Sequence, residues 1–533
     1  MKRRTFLKST AAALPVPLSA QGSAAEAVVR VRPGEPGPEI SPHIYGQFIE
    51  HLGGVIEDGI WVGPGSKIPN VGGLRRQFVE DMKRIATPNF RWPGGCFADA
   101  YHWRDGIGPR ERRPRTYNFW QPVVPAGVDV TETNQFGTHE FIRLCRLTGA
   151  EPYIAANVGS GTPAEFADWV LYCNAPVGTV SLARERAANG DAEPFRVRYW
   201  GVGNESWGCG GNMKPQEYAT EYRKFATQFP RAYQEPFFIA VGPSGGRPDG
   251  HLEWTRGFFE AMAGHSPSIW PHGWGLHYYT RARRSAKADR RSRERWYDTL
   301  ATGARIEWLL EAHWKIMGEF DPERRTRFVV DEWGVWQPPG TEIGPRYLFS
   351  QEANLCDALH AALTLDVFNR HADKVAMAQI AQTINCIHSL FLASGSRFVR
   401  TPTYYVFELY RPHMGGRRLP IDVRAADLKV PVGDGEDVLF GLAGSASLKE
   451  RQLTVTLVNP SLEADVAAAV ELEGARPAEA RAQVLTHADP HAANSFDAGE
   501  RIRPAPLDAA VQGGRIRLRI PKHAVAALEV RLA

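Results

Sequence analysis

Two glutamates, Glu205 and Glu332, each follow an apolar strand-like run and each stand close to tryptophan. Val197 to Val202 leads into Gly203-Asn204-Glu205-Ser206-Trp207, and Phe328 to Val330 leads into Asp331-Glu332-Trp333-Gly334-Val335-Trp336. A pair of carboxyl groups facing each other across a cleft is what glycosidic bond cleavage requires. One must be protonated to give its proton to the leaving oxygen, and the other must be ionised to attack the anomeric carbon. A separation of ~5 to 5.5 Å between them goes with retention of configuration. A single glutamate at such a place reads as an ordinary exposed or ion-paired carboxylate. Two at matching strand ends shift the reading to catalysis.

Other polar residues end neighbouring runs. Glu50-His51 closes the first, Arg91-Trp92-Pro93-Gly94-Gly95-Cys96 the second, His277-Tyr278-Tyr279 the sixth, and Gln382 and Asn385 follow the eighth. Asn204 reads either as a hydrogen-bond partner of a sugar hydroxyl or as a turn residue. His277 and Tyr279 read as groups that orient a glutamate, or as packed aromatics. Six tryptophans fall in or beside the strand-end loops: Trp61, Trp92, Trp103, Trp120, Trp207 and Trp336. Rings there can stack on sugar faces, but no more than two are assigned to that task, Trp120 and Trp336. Glu50, His51, His277 and Asp331 could be drawn together as metal ligands. No HxH follows the first run and no HExxH occurs, so neither a metal nor another cofactor is expected.

These groups need a scaffold that brings distant segments to one place. From about residue 40 to 410, short β-like runs alternate with amphipathic helical runs, the order of parallel βαβ units. Eight strands are expected: Ile44 to Phe48, Asn89 to Trp92, Tyr153 to Ala156, Val197 to Val202, Phe237 to Val241, Trp274 to His277, Phe328 to Val330 and Val375 to Ile380. Thr162-Pro163 with Glu165 predicts a capping-box start for the helix after the third. Eight units imply an α/β fold, a (β/α)8 TIM barrel, with functional groups at the C-terminal ends of its strands. No GxGxxG follows the first strand, which disfavours a dinucleotide-binding open sheet. After residue 415 strand-like alternation takes over, as in Leu453 to Leu457, Ala482 to Leu485, Ile516 to Ile520 and Ala527 to Leu532, predicting an all-β sandwich of jelly-roll type. Residues 26–39, which include the strand-like Val28 to Val31, are assigned to that sandwich with 411–533. The sandwich has no Trp and reads as structural support.

The chain has 533 residues, with 15 Trp, 16 Tyr and 25 Phe, enough to bury a large core. Its 63 Lys and Arg exceed its 59 Asp and Glu by the four basic residues of the leader, Lys2, Arg3, Arg4 and Lys8, so the body is formally neutral. Nothing there points to nucleic acid as a partner, and no apolar run suits a membrane. Residues 1–25 combine Arg3-Arg4, an Ala/Leu stretch and Ser23-Ala24-Ala25, an order that resembles a twin-arginine export signal and predicts a periplasmic or extracellular enzyme.

Five stretches in order, IYGQFIEHLGGVIEDGIWVG, RWPGGCFADAYHWRDGIG, YWGVGNESWGCGG, GLHYY and VVDEWGVW, together resemble glycoside hydrolase family 51, the α-L-arabinofuranosidases. The resemblance runs from about residue 40 to 390. It implies a retaining mechanism with Glu205 as acid/base and Glu332 as nucleophile. It implies that Glu50 grips arabinose hydroxyls, that Asn204, Tyr279 and Gln382 surround the same sugar, and that His277 positions one of the glutamates. Cys96 falls where some members have Asn, and a thiol there would be the poorer hydrogen-bond partner. The implied substrates are arabinose-containing plant polysaccharides or oligosaccharides, and the family often forms hexamers. Two other readings stay open: a retaining endo-β-glucanase or β-xylosidase on the same scaffold, and a non-catalytic sugar-binding protein. Tyr101 to Pro114 is expected to close the site into a pocket for one terminal sugar.

Overall fold

The computed structural model describes residues 26–120, 131–281, 291–338, 342–343, 348–432 and 435–533. The leader, residues 1–25, lies outside them.

Eight parallel strands close into a barrel: Gly46–Phe48, Asn89–Trp92, Glu151–Ala156, Tyr199–Val202, Phe237–Ala240, Gly273–Thr280, Arg327–Val335 and Val375–Ile380. Each pairs with the next in chain order, and the ring shuts where Gln379 of the eighth strand lies opposite Gly46 of the first. Strands buried on both faces read as continuous runs, and every residue of Asn89–Trp92, Tyr199–Val202 and Val375–Ile380 is buried. Tyr153, Tyr199, Ile239, Val329 and Met377, from five different strands, form one interior cluster. The barrel is therefore filled, and its functional groups must sit at one end.

Six strands depart from the sequence-based bounds by one residue or more, the sixth and seventh by the most. The first is shorter, because Pro42–Tyr45 makes a single 3-10 turn capped by the Ser41 side chain. The sixth and seventh run on past the apolar stretches into His277-Tyr278-Tyr279 and Asp331-Glu332. Their ladders carry register shifts between Gly275 and His277 and between Val330 and Trp333. Bulges of this kind re-aim side chains. Polar residues end an apolar pattern in the sequence but not the hydrogen-bonded strand, because partners inside the barrel satisfy them.

The helix Pro163–Asn174 begins as expected, with Pro163 in its first turn and Thr162 Oγ1 accepting the Glu165 N–H at 3.1 Å. The reciprocal half of the capping box is missing: the Glu165 carboxylate instead lies 3.0 Å from His102 Nδ1.

The all-β part comprises a five-stranded and a six-stranded sheet. Ala27–Val31 lies between Ile421–Arg424 and Val466–Leu472 in the smaller. Arg515–Ile520 alternates strictly, with Ile516, Leu518 and Ile520 buried and the arginines outward. The helix Leu355–Arg370 joins the two parts: Asp366 accepts from Ser445 Oγ at 2.7 Å and Thr456 Oγ1 at 2.6 Å, and Asn369 Nδ2 donates to Ser445 at 3.0 Å.

Candidate active site

Glu205 and Glu332 meet at the C-terminal end of the barrel. One carboxylate oxygen of each, and a ring nitrogen of His277, all lie within 4.8 Å of one another. Glu332 is part of the seventh strand. Glu205 follows the fourth on a left-handed backbone (φ 37°), after Gly203 at φ 87°. Left-handed backbone at a non-glycine residue costs about 1–3 kcal/mol and persists only where the surroundings hold it. Here the Glu205 carbonyl accepts the N–H groups of Gly208 at 2.6 Å and Gly210 at 3.1 Å.

The environments of the two glutamates differ. His277 Nδ1 stands 2.9 Å from Glu205 Oε1, and Glu205 Oε2 faces the sulfurs of Cys96 and Cys209 at 3.9 and 3.7 Å. Those sulfurs form a disulfide and carry no hydrogen, so they touch the carboxyl without donating to it. Burial, reinforced by the charge of Glu332, raises the Glu205 pKa above the usual carboxylate range. Glu332, by contrast, is surrounded by donors. Arg91 Nη1 reaches Oε1 at 2.8 Å, and the Tyr279 hydroxyl donates to Oε2 at 2.7 Å.

Beneath them lies a buried ion cluster. Arg91 also donates to Asn204 Oδ1 at 2.6 Å and lies 3.6 Å from Asp331 Oδ2, while Tyr153 donates to the same Asp331 oxygen at 2.8 Å. Its guanidinium is 4.6 Å from the centre of the Phe48 ring. Burial alone would lower the His277 pKa, but Glu332 and Asp331 overcome it and hold it up to about 10. Burial likewise opposes ionisation of Asp331, yet Arg91 and His277 keep its carboxyl below the ordinary range. Two cations, Arg91 and His277, thus face Asp331 and Glu332.

Glu50 lines the same cleft. Its Oε1 accepts the Phe97 N–H at 3.1 Å and its Oε2 the Gln382 amide at 2.7 Å. Burial, then the charge of Glu332, pushes it up to about 8. Gly95 permits this placement, because a Cβ there would stand 2.6 Å from Glu50 Oε1. The cleft has a volume of about 660 Å³. It is lined by Glu50, Cys96, Glu205, His277, Tyr279, Glu332, Gln382, Trp120 and Trp336, and by Trp207, which was not assigned. Asn204 is buried just behind them on Arg91.

Several expectations change. Cys96 is half of a disulfide with Cys209, 113 residues away, and not a free thiol. No spacing in the sequence signals that pair. Trp61, Trp92 and Trp103 are core residues. Among the described residues none of 101–114 lines the cleft. Tyr101 and Trp103 are buried, and Arg110 and Arg113 pair with Glu140 at 3.0 Å. His51, drawn into the metal alternative, is occupied by Glu132 at 2.9 Å and by Trp92 Nε1 at 3.0 Å. Arg91 and Asp331 received no catalytic role. The available signal was a lone arginine within a four-residue strand otherwise fit for burial, since a buried cation requires partners.

Two family models match most of the barrel and the β-rich region: the "Alpha-L-arabinofuranosidase 1 domain" over residues 81–295 and the "Alpha-L-arabinofuranosidase C-terminal domain" over residues 331–524. A protein of Bacteroides ovatus named "Intracellular exo-alpha-L-arabinofuranosidase" is 37% identical over 541 residues, covering 100% of both chains. The chain belongs to glycoside hydrolase family 51. The crystal structure of the family 51 arabinofuranosidase from Xanthomonas axonopodis pv. citri superposes with a TM-score of 0.86 at 37% identity, over 95% of this chain and 100% of that one. The arabinose complex of the Thermotoga maritima enzyme superposes with 0.80 at 28%, with the same coverage. The chain is therefore a glycoside hydrolase with a TIM barrel and a β-rich C-terminal part, as read from its motifs. The expected export, with its signal peptide and its periplasmic or extracellular location, is corrected, because the full-length relative from Bacteroides ovatus is named intracellular. The expectation rested on a charge pattern that an ordinary basic terminus also has, and Pro15 and Pro17 interrupt its short apolar stretch.

Proposed function

We propose that this chain is a retaining, exo-acting α-L-arabinofuranosidase that releases terminal arabinofuranose from arabinan- or arabinoxylan-type polysaccharides or their oligosaccharides. The observation that carries the reading is the approach of Glu205 and Glu332 to within 4.8 Å beside His277. That spacing suits a direct attack by one carboxylate and leaves no room between them for the water of an inverting enzyme. The exo mode is supported by the Bacteroides ovatus relative, which is named an exo-alpha-L-arabinofuranosidase.

Glu332, oriented by Arg91 and Tyr279, attacks the anomeric carbon. Glu205 gives its proton to the leaving oxygen. Because His277 Nδ1 faces Oε1, the proton is carried on Oε2. The glycosyl ester on Glu332 removes one negative charge from the cluster. The Glu205 pKa then falls, and Glu205 takes a proton from the incoming water. Glu50 and Gln382 hold sugar hydroxyls, and Asn204, tied to Arg91, presents its amide beside the reacting carbon. Trp120 and Trp336 offer ring faces.

A panel of neutral nitrophenyl glycosides tests this. Hydrolysis of the α-L-arabinofuranoside well above the β-xyloside and β-glucoside supports it. Turnover of β-glucosides alone overturns the substrate assignment and leaves the fold intact.

A further inference from the structure

The floor and the rim of the cleft carry opposite charge. Among the described lining residues the only acids are Glu50, Glu205 and Glu332, all at the floor, whereas the rim bears Arg247, Arg281 and Arg305. Arg281 follows the sixth strand directly, two residues beyond Tyr279. Its guanidinium lies 4.3 Å from the centre of the Trp336 ring, which itself stands 4.9 Å from the Tyr279 ring. A continuous path thus leads from Glu332 through Tyr279 and Trp336 to a cation at the rim. No carboxylate among the described residues pairs with Arg281. Arg305 Nη2 donates to the main-chain carbonyls of Arg247 at 3.0 Å and Pro248 at 2.6 Å, which, with the Trp308 ring 4.9 Å away, fixes the Arg305 guanidinium against the segment that carries Arg247. Glu253 approaches Arg247 only at 3.6 Å, with both side chains more than half exposed. Three cations at one lip repel one another unless an anion is present. A neutral sugar chain gives no reason to collect them, and the catalytic carboxylates already have Arg91 and His277.

We infer that the acceptor side of this cleft binds a carboxylate: the preferred substrates carry a hexuronic acid close to the arabinosylated residue. Arg281 meets that carboxylate beside Trp336, and Arg247 and Arg305 supply the surrounding field. Arginine suits the task, because its planar fork matches both carboxylate oxygens. The inference rests on the arabinofuranosidase reading and adds the chemical class of the aglycone.

The test compares kcat/KM on two arabinosylated xylo-oligosaccharides of equal length, one neutral and one bearing glucuronate next to the arabinosylated xylose. A galacturonate-bearing arabinosyl oligosaccharide forms a second arm, and neutral nitrophenyl α-L-arabinofuranoside reports on the sugar pocket. At low salt the uronate substrate is expected to be favoured about fivefold, and the preference to shrink toward unity near ~0.5 M salt as screening sets in. Arg281→Gln should abolish the ratio, and Arg281→Lys should restore part of it together with its salt dependence. A purely structural arginine stacked on Trp336 would move both substrates together. A preference in only one uronate arm names the source of the carboxylate. Hydrolysis of the nitrophenyl arabinofuranoside with equal kcat/KM on all oligosaccharides overturns this inference alone. No hydrolysis of the nitrophenyl arabinofuranoside overturns the underlying reading, and this one with it.

Discussion

At the scale of single residues, the site works by giving two like side chains unlike surroundings. Glu205 is buried against a disulfide, which with the charge of Glu332 raises its pKa, whereas Glu332 sits among donors. Glu332→Ala should therefore abolish turnover on every substrate. Glu205→Ala should cost far more on natural oligosaccharides, which need a proton at the leaving oxygen, than on nitrophenyl substrates, whose leaving group departs without one. Equal losses on both, measured as kcat/KM, would count against the roles assigned. Arg91 gives a second prediction. Removing a cation next to a carboxylate favours its protonated form, so Arg91→Gln should move the acid limb of the kcat/KM profile to higher pH. Breaking a buried ion cluster also destabilises by about 3–5 kcal/mol, so Arg91→Lys, which keeps the charge, serves as the folded comparison. A profile unmoved in Arg91→Gln contradicts the electrostatic role. The glutamate pair and its tryptophan neighbours were legible because their types and positions at strand ends are both in the sequence. Arg91 was not, because its function depends on meeting Glu332 and Asn204, 241 and 113 residues away. The same distance in sequence hid the Cys96–Cys209 pair.

At the scale of elements, the strand ends do the placing. Eight apolar runs identified the barrel, but the sixth and seventh strands extend several residues beyond those runs, because Asp331, Glu332 and His277 satisfy each other inside. Hydropathy cannot see such mutual satisfaction. The second strand's loop is as constrained as its chemistry: Gly95 leaves the space that the Glu50 carboxylate occupies. Gly95→Ala should displace that carboxylate by a fraction of an ångström or more and lower kcat/KM by roughly tenfold or more, with thermal stability much less affected. Activity equal to wild type would show that Glu50 does not depend on that gap. The loop of residues 101–114 carries a different lesson. It was expected to close the site over one terminal sugar, but Tyr101 and Trp103 are buried in the core.

At the scale of the whole molecule, stability and catalysis draw on the same buried charges. Glu50 has a folded pKa of about 8 against an ordinary value of 4.5, and His277 about 10 against 6.5. Between each pair of values the native state binds more protons than the unfolded one, so stability falls as pH rises through both windows. Buried His43, His251 and His313, held down to about 4, act in the opposite direction below pH 6.5, so the melting temperature should decline between about pH 7 and 10. Glu50→Gln should flatten the part below about pH 8, and an unchanged slope would show that Glu50 ionises freely. The β-rich part is coupled to the barrel through Asp366, which burial pushes up to about 6 and which Thr456, Ser445 and Tyr410 hold. Asp366→Ala leaves those donors unsatisfied and should cost about 2–4 kcal/mol in denaturant unfolding. Two separate transitions in the wild type would show that the halves fold independently.

The central claim is that Glu332 forms a covalent bond to arabinose while Glu205 exchanges a proton. It is tested most directly by trapping the intermediate on a slow arabinofuranoside with Glu205→Ala, then mapping the modified peptide by mass spectrometry. One anhydropentose on the peptide that contains Glu332 is the expected result. A peptide without the adduct, under conditions where the nitrophenol burst shows that the first step has occurred, would contradict it.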